Sequence, residues 1–216
     1  MKKRLIFLAA LLILSLLMVS CGGGTDAGTT SPSPGIPGMP ENIERNPVAA
    51  IEFDDGRKIL IELYPDIAPN TVCNFISLAN SGVYKGSLFH RVFANEMIQG
   101  GMALPGNEVS YSIKGEFTTN GFKNDLKHER GVISMARTTA PDSASSQFFL
   151  VLKDAYPSWD TKYAAFGKII EGIEIADEIS LGEITDSINF SLVTRVAVKD
   201  ITVDTFGVEY PEPVKN

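Results

Sequence analysis

Hydrophobic and polar positions alternate with period two over Ile51 and Phe53, and again over Ile59, Ile61 and Leu63, on either side of Asp54-Asp55-Gly56. Two such runs around a Gly-containing turn predict a β-hairpin with one buried face. From Pro69 to Asn80 the period changes. Val72, Phe75, Ile76 and Ala79 recur at helical spacing, with Pro69 and Asn70 as start signals and Ser81-Gly82 as the stop. Ser87 to Gly101 (SLFHRVFANEMIQGG) reads as a short apolar strand carrying one arginine, a turn, and a second short strand ending in two glycines. Met102 to Lys127 is Gly-rich and polar, with Tyr111 and Phe117 as expected anchors. Val132–Ala136 and Gln147–Leu152 read as short apolar strands flanking a polar surface loop, Arg137–Ser146. Tyr163–Ile170 predicts a further strand, Ile175, Ala176 and Ile179 a second short helix, and Arg195–Val203 a closing strand. Many short strands with two helices predict a mainly β fold, a closed and mostly antiparallel barrel with the helices at its ends.

The ends of the chain have a different pattern. Residues 1–20 combine a basic start (Lys2, Lys3, Arg4) with a 15-residue apolar run from Leu5 to Val19. A spanning helix needs about 20 apolar residues, so the run reads as a secretory signal, with an uncleaved N-terminal anchor as the alternative. Met18-Val19-Ser20-Cys21 resembles the bacterial lipoprotein lipobox. That resemblance implies cleavage before Cys21, lipid on its sulfur and new amino terminus, and a protein anchored to the bacterial cell membrane on its extracytoplasmic side. Residues 21–46, rich in Gly, Ser, Thr and Pro as far as Pro40, bury too little apolar surface to offset ordering entropy and read as a flexible tether. The globular domain is expected over residues 47–206, and residues 207–216, with Pro211 and Pro213, as a loose tail.

Composition narrows the chemistry. Hydrophobic content of 44% against 21% charged residues suits one domain with extensions in a chain of 216 residues. Lys2, Lys3 and Arg4 account for 3 of the 19 basic residues, so 16 face 26 acidic ones from Cys21 onward, and no basic run tracks a phosphate backbone. Nucleic acid is therefore not an expected partner. Of the two cysteines, Cys21 belongs to the leader boundary, which leaves Cys73 as the domain's single thiol and no internal disulfide. No Cys/His cluster has zinc-ligand spacing, and neither metal nor cofactor is expected. Cys73 reads as a space-filler at the border of its helix's apolar stripe; a hydrolase built on it lacks a base partner.

Five blocks then occur in order: F-H-R-V (Phe89–Val92), M-I-Q-G-G (Met97–Gly101), G-V-I-S-M-A-R (Gly131–Arg137), S-Q-F-F-L (Ser146–Leu150) and F-G-K-I-I-E-G (Phe166–Gly172). Together they resemble the cyclophilin-type peptidyl-prolyl cis-trans isomerases, over roughly Pro47 to Val203. The resemblance implies a closed eight-stranded antiparallel barrel capped by two α-helices, proline-containing polypeptides as substrates, and action as a monomer. It assigns Arg91 and Gln99 as the catalytic pair. Met97, Phe149, Trp159 and Tyr163 match the pocket for the proline ring, Gln147 its polar rim, and Ala136 and Arg137 the segment that pairs with substrate backbone. Taken alone, Arg91 reads first as an edge ion pair, and Met97, Phe149 and Trp159 as core. His90, pointing by strand alternation to the face opposite Arg91, reads as a structural histidine.

The chain departs from the family pattern at four places. Trp159 stands where leucine is usual, and Arg137 where eukaryotic members often have asparagine. Glu96 stands where a phenylalanine usually walls the pocket; a carboxylate cannot line an apolar pocket without a desolvation cost, so it is expected to face solvent or pair with a cation such as Arg91. Ser158 stands where eukaryotic members have a tryptophan important for cyclosporin, which implies weak cyclosporin binding. Two functions follow: an isomerase acting on exported proteins, or a binding module or holdase for proline segments with little turnover if Glu96 occupies Arg91.

Overall fold

The computed structural model describes residues 36–184 and 191–216; residues 1–35, on which the expected signal segment, Cys21 and most of the expected tether fall, lie outside them. The predicted hairpin is present as β1 (Val48–Glu52) and β2 (Lys58–Leu63), with Val48 opposite Glu62 and Glu52 opposite Lys58. Its alternating residues Ala49, Ile51, Ile59, Ile61 and Leu63 are fully buried, while Lys58 and Glu52 pair in the open at 3.1 Å. There follow α1 (Pro69–Asn80), β3 (Leu88–Phe93), β4 (Met97–Gly100), β5 (Val132–Met135), β6 (Phe148–Val151), β7 (Ala165–Glu171), α2 (Ile173–Ser180), β8 (Ser191–Ala197) and β9 (Asp200–Asp204).

Among the described residues nine strands form one curled antiparallel sheet, in the order β8-β3-β4-β6-β5-β7-β2-β1-β9. The sequence led to a closed barrel of eight; the observed sheet is open in its hydrogen-bonded order, with β8 and β9 at opposite edges. The extra strand comes from the closing strand expected over Arg195–Val203. Val198 exchanges backbone hydrogen bonds with Gly86 and Ser87 beside β3 (2.9 and 2.8 Å), whereas the next amide, Lys199, donates to Glu52 of β1 at 2.8 Å. A chain that crosses from one sheet edge to the other cannot stay in a single ladder, so one predicted strand becomes two.

Helix α1 is buried along nearly its whole length and packs Phe75 against Tyr84, Phe148 and Phe166. Its N-cap residue, Ala68, has no polar side chain to accept from the first amides. The buried Glu116 carboxylate takes that place from the long loop, accepting from the backbone amides of Asn70 (3.0 Å) and Thr71 (2.8 Å) and from the Thr71 hydroxyl (2.7 Å). An anion at a helix N-terminus meets unpaired N–H groups and the positive end of the dipole. Burial nonetheless raises the Glu116 pKa, with those hydrogen bonds pulling against it. Both expected anchors of the loop hold it: Phe117 is buried, and the Tyr111 hydroxyl donates to Asn74 Oδ1 at 3.0 Å.

The C-terminal residues differ from the loose tail expected of them. Asn70 and Val214 exchange two hydrogen bonds (3.0 and 2.7 Å), Asn216 donates to the Ser112 carbonyl at 2.8 Å, and Pro213 is buried. Proline restricts the unfolded chain, so a Pro-containing segment loses little entropy when a few contacts hold it.

Strand alternation then divides the sheet into two faces. Ile98, Phe148 and Leu150 enter the main core, while their neighbours Met97, Phe149 and Val151 form a second cluster with Val132 and Ala165. Partly buried Phe93, Leu126, Ala136, Tyr156, Trp159 and Tyr163 surround that second cluster.

Candidate active site

Strand β3 does not alternate regularly. Its register with β8 slips between Phe89 and Arg91, and a slip of this kind re-aims the side chains that follow it. Phe89 and Val92 both enter the main core, Phe89 meeting Phe148 edge-on at 5.9 Å, while Phe93 joins the second cluster. His90 sits buried at the slip, its Nδ1 3.4 Å from the Leu88 carbonyl, and burial lowers its pKa. A turn with Asn95 in the left-handed region (φ 57°) then returns the chain, placing Arg91 directly opposite Gln99 and Phe93 opposite Met97.

The two glycines closing β4 are required by close approach. A Cβ on Gly100 would lie 2.6 Å from the Phe89 ring, and one on Gly101, at φ 74°, 2.6 Å from the Ser146 carbonyl oxygen. Side chains there would push β4 off both neighbours. With them absent, Gln99 lies opposite Phe149 of β6.

Three polar heads result in a row. Arg91 Nη1 donates to Gln99 Oε1 over a long 3.5 Å, and Gln99 Nε2 donates to Gln147 Oε1 at 2.8 Å. The Arg91 guanidinium also lies 4.9 Å from the centroid of Phe93. Because the Gln99 amide is held at both ends, its orientation is defined: oxygen toward the guanidinium, nitrogen toward Gln147.

Beside this row the aromatic cluster is built around Phe149. Trp159 and Tyr163 meet its ring edge-on at 5.2 and 5.5 Å, and His128 stacks on it at 5.9 Å with a 14° interplanar angle. Met97 and Phe149 are only 4% and 6% exposed; Trp159 and Tyr163 are half-buried. His128 is fixed from both sides, Nδ1 lying 3.2 Å from Asp160 Oδ1 and Nε2 2.9 Å from the Ser134 hydroxyl. Burial lowers its pKa against the opposing pull of Asp160, so a neutral ring backs Phe149 at pH 7. Ala136 donates its amide to the Gln147 carbonyl at 2.9 Å. The Arg137 guanidinium is committed elsewhere: Nε and Nη2 reach the Lys162 carbonyl (2.9 and 2.8 Å), and the group lies over the rings of Phe117 and Tyr163.

The structure thus brings Arg91, Gln99, Gln147, Met97, Phe149, Trp159, Tyr163 and Ala136 onto one face, with Arg137 tying its loops together; Cys21 lies outside the described residues. Glu96 has partners other than the arginine named as an example: its carboxylate pairs with Lys153 Nζ at 2.9 Å and accepts the Tyr156 hydroxyl. Phe93, Leu126, His128 and Tyr156 were not singled out from the sequence. Phe93 could have been, two residues beyond Arg91 in a strand; Tyr156 touches Glu96 across 60 positions, a contact with no local signal.

Cys73 is buried in α1, its thiol pushed up to about 12 chiefly by burial, with Met39 Sδ 3.4 Å from its sulfur. Among the described residues no group of three His, Cys, Asp or Glu is placed to hold a metal ion. Clefts of about 540 and 390 Å³ exist, one lined by Cys73, Tyr111 and Tyr210 and the other by Arg57 and Glu178, but neither includes the polar row.

Comparison with known proteins bears on the same region. Residues 48–208 match the family model for cyclophilin type peptidyl-prolyl cis-trans isomerase/CLD. Peptidyl-prolyl cis-trans isomerase B of Bacillus subtilis is 41% identical over 134 residues, covering 61% of this chain and 90% of that protein. Peptidyl-prolyl cis-trans isomerase A of Dickeya dadantii is 43% identical over 121 residues, covering 52% and 60%. A peptidyl-prolyl cis-trans isomerase-like 2 of Gibberella zeae is 36% identical over 165 residues, and there the match spans 76% of this chain and 28% of the relative. Among solved structures, a Cryptosporidium parvum cyclophilin type isomerase crystallised in the presence of the dipeptide Ala-Pro superposes with a TM-score of 0.61 at 26% identity, over 73% of this chain and 98% of that one.

Proposed function

The chain belongs to the cyclophilin-type peptidyl-prolyl cis-trans isomerase family, and from that premise we propose that it accelerates rotation about X-Pro bonds in exported polypeptides, held at the extracytoplasmic face of the membrane by lipid on Cys21. The observation that carries the catalytic part is the juxtaposition of Arg91 and Gln99 on facing strands beside the Met97–Phe149–Trp159–Tyr163 cluster.

The chemistry asks for little else. Peptide-bond rotation has a barrier of about 18–20 kcal/mol because the nitrogen lone pair is delocalised into the carbonyl. In the twisted state that lone pair is localised and can accept a hydrogen bond. Arginine, charged at every accessible pH, is a donor that favours this state. Gln99, oriented by Arg91 and Gln147, faces the moving carbonyl, and the apolar cluster holds the ring while the bond turns. Rotation about the bond calls for no nucleophile, metal or cofactor, because no covalent bond is made or broken.

One charge-assisted hydrogen bond contributes about 1.5–3 kcal/mol, and each ~1.36 kcal/mol is about tenfold in rate, so Arg91→Ala should lower kcat/KM by about ten- to a hundredfold. The test is refolding of a substrate protein limited by X-Pro isomerisation, with wild type against Arg91→Ala. Acceleration by wild type that the variant loses supports the reading. Peptide binding without any acceleration would leave a proline-segment binding module or holdase in its place. The engagement of Glu96 by Lys153 and Tyr156 favours turnover, since that carboxylate has cationic and hydroxyl partners of its own. Ser158 is exposed beside the pocket, and weak cyclosporin inhibition follows; inhibition at nanomolar drug would overturn that point. Mass analysis of the mature N-terminus tests the lipid on Cys21.

A further inference from the structure

Position 96 supplies no aromatic wall to the pocket, yet the wall has not been lost. Glu96 accepts the Tyr156 hydroxyl and pairs with Lys153, whose ammonium also lies 5.0 Å from the centroid of the Tyr156 ring. The Tyr156 ring lies face to face on Trp159, 3.8 Å between centroids and 5° between planes, and Trp159 in turn meets Phe149 edge-on. The backbone repeats the linkage: Leu152 and Lys153 both donate to the Glu96 carbonyl (2.8 and 3.3 Å), Tyr156 donates to the His128 carbonyl (2.8 Å) and Trp159 to that of Tyr156 (2.9 Å). The segment from Lys153 to Trp159 is therefore pinned at one end by residue 96 and delivers an indole to the proline-ring cluster at the other.

We propose that Glu96 is a positioning residue: acting through Tyr156, it holds Trp159 as a wall of the proline-ring pocket, so that an aromatic pair from a distant loop does the work an aromatic side chain at position 96 would do. The physical argument is one of order. Two half-buried rings on a loop have many arrangements, and stacking alone fixes their distance but not their place over Phe149. A carboxylate that accepts a hydroxyl and an ammonium together fixes the outer ring, because charge-assisted hydrogen bonds are short and directional. Trp159 then becomes a preformed surface against which a substrate ring can pack, and less ordering remains to be done on binding.

This inference rests on the isomerase reading for its kinetic consequence but not for its structural one. Trp159 is the chain's single tryptophan, so its fluorescence reports the wall directly. In the intact protein, Glu96→Ala and Tyr156→Phe should each raise acrylamide quenching of Trp159 and raise KM for an X-Pro tetrapeptide by about three- to tenfold, the effect of one ordered aromatic contact, while kcat stays within about twofold. Glu96→Gln keeps an oxygen for the tyrosine hydroxyl but loses the charge that holds Lys153, and should fall between wild type and Glu96→Ala in both measurements. Unchanged quenching in Tyr156→Phe overturns the proposal, as does a fall in kcat at constant KM, which would place Glu96 in the chemistry instead. Glu96→Gln indistinguishable from Glu96→Ala overturns the route through Tyr156. If wild type fails to accelerate isomerisation, the functional reading falls and the quenching experiment still decides the wall.

Discussion

Phe148 and Phe149 are consecutive residues of β6 and serve opposite faces of one sheet. Phe148 is 0% exposed and is enclosed by Phe75, Tyr84 and Phe89. Phe149 is nearly as buried, at 6%, but its neighbours are His128, Trp159 and Tyr163, and a row of polar heads begins next to it at Gln99. The inner face completes itself with apolar side chains of the sheet and α1. Among the described residues the outer face is covered by loop residues, and the rings of Trp159 and Tyr163 stay half-buried there. Binding surfaces need this incompleteness, since a face that satisfies itself has nothing to offer a substrate.

The contrast can be tested by cutting both faces in the same way. Phe148→Ala should destabilise the domain by about 3–5 kcal/mol, the range for a large ring removed from a close-packed core. Phe149→Ala should cost clearly less stability, because loop residues can settle into the gap, and should show its main effect as weaker proline-peptide binding. Urea unfolding and peptide titration of both variants measure this, and equal losses of stability would contradict the division. A smaller effect is expected within the polar row. Gln147→Ala removes one neutral hydrogen bond to Gln99, about 0.5–1.5 kcal/mol, so kcat/KM should fall about two- to tenfold with the unfolding midpoint nearly unchanged.

The smallest effect is one of pH. Burial lowers the pKa of His128 on the outer face and of His90 at the β3 slip. A histidine kept neutral by the fold binds its proton more readily once unfolded, so the unfolded state gains protons first as pH falls. The stability contributed by the neutral rings is fully present above the unfolded value of about 6.5 and is lost as pH drops from there through the lower folded values. Urea midpoints should therefore fall between pH 7.5 and pH 5 in wild type and fall less in His128→Asn, a difference that comparison of the two curves reads directly.

Much of this arrangement could be read in the linear pattern. The hairpin alternation over Ile51–Leu63, the helical spacing over Pro69–Asn80 and the strand-turn-strand of Ser87–Gly101 are local, and local periodicity reports them well. The F-H-R-V-F stretch shows where that reading stops. Simple alternation puts Phe89, Arg91 and Phe93 on one face, yet Phe89 lies in the core, because pairing with β8 about a hundred positions later slips at His90. The same holds for the C-terminal residues, whose partners Asn70 and Ser112 are remote, and for the closing strand, which divides where it changes edges.

Glu96 shows the division most sharply. Residue type and neighbours in the chain dictate that a carboxylate there must find water or a cation, because its desolvation is costly wherever it lies. They say nothing about which cation, or that a tyrosine hydroxyl joins it. That choice was made when β4 and β6 paired and brought Lys153 and Tyr156 to the end of the β3–β4 turn. Side-chain chemistry and periodicity are properties of the chain; the identity of a partner depends on which distant segment the packed sheet places alongside.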